Sequence, residues 1–545
     1  MAEAKTIVLS EEGSLAAPHA MICSDNPHIS RVGAQVLCAG ANAVDAVVAA
    51  AFAAGVVHAH CFSLAGAGGL LLVWLEKESR AYAVDFPPVA PLAAKQGTFK
   101  LLPSGEPNDC SHLIGARAVT VPAVMAGLAR ALEQFGTLSL KKAVGPAMEL
   151  ASGGFRVHAT LSRATHQPHI ARFPATAHCF LKKNRPLRPG AKLTQADQGI
   201  LLQKLTEEGP DAFYRGDVAR DIVEHLRSLG GLLTLEDLAR YRVRVYPAFR
   251  GDYRDALIFG GPASTSGSPL LFLTLNILEG LNMRPLPSRS VESVHWMVEA
   301  MKLAWAEHRR TMGYVGKNIH PFELMVAKSL AAKLRAMIDP HRAVVQSPSY
   351  RTPLALHPDA SAHIAAVDAD GNMAVFSQTQ GAGLFGSGVT IPKWGLVMNN
   401  GMAFFDHRRG RPHSLEPGKR ARVLTGSILV LRKRQPFLVI GATGGISAIA
   451  PLVHLLVDII EHGQSLTQAL GSPRIFYKES GCVMAEQTLP PMVRKGLQKM
   501  GHALKLVQQD QELPGPILGI QVDHKGESRT GSVDLRRDGG ALAGF

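Results

Sequence analysis

A mixed α/β (α+β) protein, built as one large layered fold or as several domains, is what this sequence predicts, on three observations. Its 545 residues exceed what one simple core usually encloses. Hydrophobic residues make up 46% and charged residues 19%, with Gly and Pro scattered, the composition of a packed globular chain. Helical and strand patterns alternate through the first two thirds, and the last third opens on two strand patterns around a turn.

The elements follow in order. Residues 46–57, after Asn42 and Asp45, form an alanine-rich apolar run that reads as a buried helix and falls short of the roughly 20 residues needed to span a bilayer. Residues 115–122 (Gly-Ala-Arg-Ala-Val-Thr-Val-Pro) read as a strand ending at a proline, and 123–135 as the helix that follows. Helical periodicity covers 218–229, 290–312 and 324–338, with Pro and Gly between them. From 361 the chain reads Ser-Ala-His-Ile-Ala-Ala-Val, then Asp-Ala-Asp-Gly-Asn, then Met-Ala-Val-Phe-Ser-Gln-Thr, a hairpin around 368–372. Counting outward from that loop in antiparallel register sets Ser361 opposite Thr379, so two hydroxyls meet at the strand ends. Alternation puts Ser361, His363, Ala365 and Val367 on one face. Spacing alone leaves this open between an ordinary hairpin and a catalytic pair. Residues 437–446 read as a buried strand running into adjacent glycines, either a turn or a place where bare NH groups approach a ligand.

The net charge of +14 raises nucleic acid as a partner. The basic residues are spread out, however, and their densest stretches, 408–422 and 432–434, lack zinc-finger spacing. Aromatic residues are 6% of the chain, poor for base stacking. No nucleic-acid partner is expected. The amino terminus has no basic patch followed by an apolar run, so no secretory signal is expected and no membrane partner either. Six cysteines, at 23, 38, 61, 110, 179 and 482, show no CxxC pairing, which favours a reduced, cytoplasmic setting. His58, His60 and Cys61 raise a metal or thiol site, but with no second ligand cluster in sequence they read as packing beside the glycine-rich stretch. No metal is expected.

Read in order, further pieces make a specific resemblance: 42–49 (Asn-Ala-Val-Asp-Ala-Val-Val-Ala), 63–69 (Ser-Leu-Ala-Gly-Ala-Gly-Gly), 212–216 (Ala-Phe-Tyr-Arg-Gly), 230–234 (Gly-Gly-Leu-Leu-Thr), 237–243 (Asp-Leu-Ala-Arg-Tyr-Arg-Val), 299–304 (Glu-Ala-Met-Lys-Leu-Ala) and the closing 534–545. Together they resemble the γ-glutamyltransferase family of N-terminal nucleophile hydrolases over nearly the whole chain. The resemblance implies a four-layer αββα sandwich of two stacked antiparallel sheets. It also implies a precursor that cuts itself between Ala360 and Ser361, leaving a large subunit, 1–360, and a small subunit, 361–545, interleaved in one domain. On it, Ser361 is the nucleophile and its freed α-amine the base. Thr379 is the supporting hydroxyl, and Gly444 and Gly445 are the oxyanion donors, each worth about 10² to 10³ in rate. Serine replaces the family's usual threonine and loses only the β-methyl. His363 is given a structural role.

Recognition departs from the family. The family holds a donor α-carboxylate through an arginine in Phe-Arg-Glu and a serine pair, and an α-ammonium through polar residues of an Asn-Asn-Gln-Met-Asp-Asp-Phe run and a further asparagine. Matching positions here are Pro87, then Val423 and Leu424, then Gly401, Ala403 and Phe404, and finally Gly381. Losing one charge-assisted hydrogen bond costs about 1.5 to 3 kcal/mol. The sequence therefore predicts a non-glutamyl amide as the small-molecule substrate, hydrolysed in an apolar pocket with no cofactor. Alternatives are glutathione-like γ-glutamyl substrates, a non-catalytic unprocessed homologue, and an anionic anchor relocated to Arg408, Arg409, Arg411, Lys419, Arg420 or Arg422. The two subunits would pair with each other, and a homodimer of such pairs stays open.

Overall fold

The structure is a computed structural model describing residues 6–262, 267–311, 314–315, 318–319, 322–344, 361–411, 413–423, 425–442, 448–477, 482–508, 516–536 and 540–545. Ala360, Leu424, Gly444 and Gly445 lie outside the described residues. Two large antiparallel sheets dominate. The first runs, edge to edge, through Val8–Ser10, Ala541–Gly544, Met21–Ser24, Ser361–Val367, Met373–Thr379, Gly68–Leu75, Arg80–Phe86 and Arg244–Pro247. The second runs through Phe249–Tyr253, Ala256–Gly260, Ile428–Arg432, Gln435–Ala442, Ile517–Val522, Arg529–Val533 and Ser14–Ala17. Strands from before and after position 361 interleave in both sheets, so neither part could keep its sheet without the other.

Strand parity sorts the side chains into layers. Ala365, Val367, Met373 and Val375 fill the space between the sheets with Leu429, Leu431, Val439 and Ile520. Their neighbours Ala362, Ile364, Ala366, Ala374 and Phe376 face outward, into the core made with helices Pro27–Cys38, Ala43–Val57 and Val124–Phe135. On the far side, Ile428, Val430, Leu438 and Ile440 pack against helices Ser268–Glu279, Val291–Thr311 and Ile449–Ile460. The result is the four-layer αββα sandwich.

Local chemistry explains the elements around the hairpin. Helix Ala43–Val57 is buried at every residue, and small side chains let its neighbours approach closely. A reciprocal cap starts it: Asn42 Oδ1 accepts from the Val44 and Asp45 amides at 2.9 Å, and Asp45 Oδ2 accepts from the Asn42 amide at 3.1 Å. Such a cap contributes about 1 kcal/mol. In the hairpin loop, Asp368 accepts from the Asn372 amide and carboxamide at 2.9 and 2.8 Å, while Gly371 takes φ 85°. The second Asp368 oxygen also accepts from the Ala43 amide at 2.9 Å, tying the turn to the buried helix.

Two sequence expectations need correction. Residues 115–122 do not form a strand. Gly115, at φ 98°, opens a 3₁₀ turn at Ala116–Ala118, and one isolated bridge joins Val121 to Val89. The Thr120 amide donates instead to Asn399 Oδ1, at 3.0 Å. The helix predicted over 324–338 is two pieces, Phe322–Met325 and Lys328–Arg335, interrupted where Ala327 is extended and the Asn276 carboxamide donates to the Val326 carbonyl at 2.7 Å. No described helix is long and apolar enough to cross a membrane.

Candidate active site

The hairpin register is the one obtained by counting: Val367 faces Met373, and Ser361 faces Thr379. Ser361 is partly exposed at the strand start and Thr379 is buried. The Thr379 hydroxyl accepts from the Gly381 amide at 3.1 Å and donates to the Gly381 carbonyl at 3.0 Å. Two residues inward on the same face, His363 Nδ1 meets the Ser377 hydroxyl, which in turn meets the Ser427 hydroxyl, just before the second-sheet strand Ile428–Arg432. Burial holds the His363 imidazole at about 3, so it stays neutral and spans the two sheets. The His363 amide is held from the other side by Asp25 Oδ2 at 2.9 Å.

The second sheet approaches from below. Val439 lies in the inter-sheet core with Ala365 and Val375, and a Cβ on Gly441 would come within 2.9 Å of the His363 Cβ. Gln435–Ala442 therefore advances toward the Ser361 end as it runs to its last residue. The glycine pair expected to follow it is outside the described residues.

Glycines on the other flank are set by crowding. Gly68 pairs with Thr379, and a Cβ there would meet Pro88 Cδ at 2.6 Å; one on Gly69 would meet the Ser377 carbonyl at 2.2 Å. That contact puts the Phe86-Pro87-Pro88 segment beside the hydroxyl pair. The Tyr241 hydroxyl donates to the Pro87 carbonyl at 2.9 Å, and the Ala421 amide donates to the Pro88 carbonyl at 2.8 Å. From Ala421 the chain passes buried Val423 to reach Ser427 beside Ser377. Pro88 thus packs beside Gly68, on one flank of the hairpin end.

Gly381 and Gly401 complete it. Gly381 has φ 133°, and its missing side chain leaves room for the Asn400 carboxamide, whose Oδ1 would be 1.8 Å from a Cβ there. That same oxygen accepts from the Ala382 amide at 2.9 Å. A Cβ on Gly401 would meet the Thr120 hydroxyl at 2.2 Å and the Ala67 Cβ at 3.1 Å, and the Ala67 amide donates to the Thr379 carbonyl at 3.0 Å. Asn399 joins these parts. Its Oδ1 accepts from Thr120 and from the Gly401 amide, and its Nδ2 donates to the Ala65 and Thr120 carbonyls. Phe404 ends the 3₁₀ turn Gly401–Phe404 and packs with Ala90, Phe99, Phe405 and Ala421.

The basic residues are largely committed elsewhere. Arg408 pairs with Asp406 at 2.7 Å, Lys419 with Glu416 at 2.7 Å, and Arg420 donates to the Arg242 carbonyl at 3.0 Å. Arg422 is turned toward helix Val291–Thr311, with Nη2 2.9 Å from His308 Nε2; that imidazole stacks on Trp305. Burial lowers the Arg422 guanidinium to about 10.

Sequence reasoning missed Asp25, Thr120, Ser377, Asn399, Asn400 and Ser427. Ser377 was within reach, since alternation from Thr379 puts it on the same face. The asparagines carried no spacing signal, because their partners lie far away in the chain.

Comparison with known proteins places the chain in a family. A family model described as Gamma-glutamyltranspeptidase matches residues 29–544. The chain is similar to the Acylase ACY 1 proenzyme of Pseudomonas sp. (strain SE83), 32% identical over 96% of this chain and 93% of that protein. It is also similar to the Glutathione hydrolase proenzyme of Escherichia coli (strain K12), at 29% identity over 97% and 92% of the two chains. Among solved structures, cephalosporin acylase from Bacillus halodurans superposes with TM-score 0.87 at 25% identity, covering 98% of this chain and 97% of that one.

Proposed function

Because the chain belongs to the gamma-glutamyltranspeptidase family of N-terminal nucleophile amidohydrolases, we propose that it is a self-processing serine acylase that hydrolyses a non-glutamyl amide through an acyl-enzyme. The Ser361–Thr379 pairing carries the reading, since it sets two hydroxyl-bearing residues opposite each other at the strand end of the hairpin, where Ser361 is partly exposed. In processing, Ser361 Oγ attacks the Ala360 carbonyl carbon, the peptide C–N bond breaks as the ester forms, and water hydrolyses that ester. The products are an Ala360 carboxylate and the free Ser361 amine, on chains 1–360 and 361–545.

In turnover the α-amine takes the Ser361 hydroxyl proton as Oγ attacks the substrate amide carbon. Thr379 supports the nucleophile. Gly444 and Gly445 donate NH groups to the oxyanion. The proton then passes to the departing amine, and water releases the acid from the acyl ester.

The acyl group is apolar and uncharged on this reading. On this reading Pro87 and Val423 line the acyl pocket, and Gly381 and Gly401 offer no side chain, their room being used by Asn400 and Thr120. Four of the six basic residues weighed as a relocated anchor hold other partners. The name of the Pseudomonas relative, an acylase, supports the same class.

A matched set of 4-nitroanilides tests this, carrying an alkanoyl or phenylacetyl, a glutaryl, or a γ-glutamyl group, the last with and without a dipeptide acceptor. The apolar anilides should be cleaved with the highest kcat/KM. Faster turnover of the γ-glutamyl compound, or acceptor-dependent transfer, would sink the account of the pocket.

A further inference from the structure

Helix Ala43–Val57 ends at His58, which caps it, and the next turn brings His60 and Cys61 back beside the cap. All three residues are buried, with His58 and His60 each 3% exposed and Cys61 2%. One donor atom from each lies within 4.8 Å of the others, and the two imidazoles meet edge to face with centroids 4.3 Å apart. In sequence these residues read as packing. In space they converge, and the proposed acyl-transfer reaction uses none of them.

A second observation concerns the state of His58. Thr160 Oγ1 lies 3.0 Å from His158 Nδ1 and 3.4 Å from His58 Nε2. The Thr160 amide also donates to His158 Nδ1, at 3.4 Å, so that nitrogen is an acceptor and the Thr160 hydroxyl can donate to it. The hydroxyl oxygen is then left to accept the His58 Nε2 proton. A His58 Nε2 proton donated to that oxygen leaves the lone pair on Nδ1, and His58 Nδ1 is buried with no hydrogen-bond partner among the described residues. Leaving such an atom unmatched is costly, because it gives up its water without a replacement partner. A ligating histidine has this arrangement, its second nitrogen donating to an oxygen and its first presenting a bare lone pair.

From these contacts we infer a second, non-catalytic site in which His58, His60 and Cys61 bind one thiophilic d¹⁰ cation, Zn²⁺ or Cu⁺, through two imidazoles and a thiolate. The donor set is suited to such ions and unsuited to Mg²⁺ or Ca²⁺, which take oxygen ligands. Binding releases the Cys61 thiol proton. Donors on a zinc-sized ion sit about 3.5 Å apart, so the widest pair closes by about an ångström.

A second buried histidine group among the described residues shows the contrast. His295, Glu299 and His502 also lie within 4.8 Å of one another, but the Lys302 ammonium is already among them, 2.7 Å from Glu299 Oε1. His295 Nδ1 and His502 Nε2 satisfy each other at 2.8 Å, and His295 Nε2 meets the Asp339 carbonyl at 2.8 Å. The built-in cation takes the place a metal would need. The His58 turn, by contrast, touches the catalytic strand, because the Cys61 carbonyl accepts from the Gln378 carboxamide next to Thr379. An ion there would stiffen that contact.

The untagged full chain, produced in cobalt-supplemented medium and dialysed against a weak chelator, tests the site. One Co²⁺ per chain with a thiolate-to-metal charge-transfer band is the expected result, and parallel Zn²⁺ and Cu⁺ preparations should each retain up to one ion. Cys61→Ser should lose the band and lower retention about tenfold or more, His58→Gln should lower retention similarly, and Cys110→Ser, at an exposed thiol, should keep both. No retained ion in the wild-type chain would overturn the inference, as would a band that survives Cys61→Ser. Should Cys61→Ser fail to fold, X-ray absorption on the wild-type cobalt form decides, with one sulfur and two imidazole nitrogens expected and all-oxygen or all-nitrogen ligation excluding the site.

Discussion

The hairpin end and the pocket wall beside it touch through Gly68 and Pro88, yet they are built on opposite logic. At the hairpin end, polar groups meet polar groups: Thr379 meets Gly381, His363 meets Ser377, Ser377 also meets Ser427, and the His363 amide meets Asp25. At the wall, side chains are apolar or missing, and backbone carbonyls are consumed by Tyr241 and the Ala421 amide. On the proposed function, the chemistry of bond cleavage and the recognition of an acyl group are separable parts of one site. The first depends on a register that a buried sheet enforces. The second depends on side chains that can change without disturbing the sheet.

The largest break in that comparison is Ser361→Ala. Cleavage at 360/361 should vanish, seen as a single full-length mass, and amide turnover should fall on the order of 10⁴-fold or more. Thr379→Val, which keeps the shape and removes the hydroxyl, should lower kcat about 10²-fold with KM nearly unchanged; an equal loss in a KM-only pattern would move Thr379 to the pocket side. Gly401→Ala puts a methyl against the Thr120 hydroxyl. It should cost about 1 to 3 kcal/mol in urea unfolding and leave acyl preference unchanged. Tyr241→Phe removes the bond to the Pro87 carbonyl and should cost about 1 kcal/mol, with KM for apolar anilides rising more than kcat falls.

The smallest expected effect is on pH dependence. Burial lowers His363 from 6.5 to about 3. Between those values the unfolded chain binds the proton and the folded chain does not, so this residue's contribution is complete above pH 6.5 and is lost as pH falls toward 3. His363→Gln should flatten that acid slope in thermal melts, and kcat should show no inflection assignable to His363 between pH 6 and 8. An inflection there that the variant removes would make His363 a proton carrier.

Sequence alone determined the hairpin, its loop and its register, because the period of two and the Asp-Ala-Asp-Gly-Asn loop act over a few residues. It likewise determined the buried helix after Asn42, where cap and apolar run are contiguous. Family motifs in order made the layer architecture legible. Only the tertiary structure decided where Asn399 and Asn400 act, why Gly381 and Gly401 admit no side chain, and that Arg422 turns to His308. It also brought Thr160 to His58, where a donated Nε2 proton leaves the lone pair on Nδ1. In each case the partners are more than 15 residues apart, so their meeting follows from how sheets and helices pack, and no local pattern of residue types encodes it.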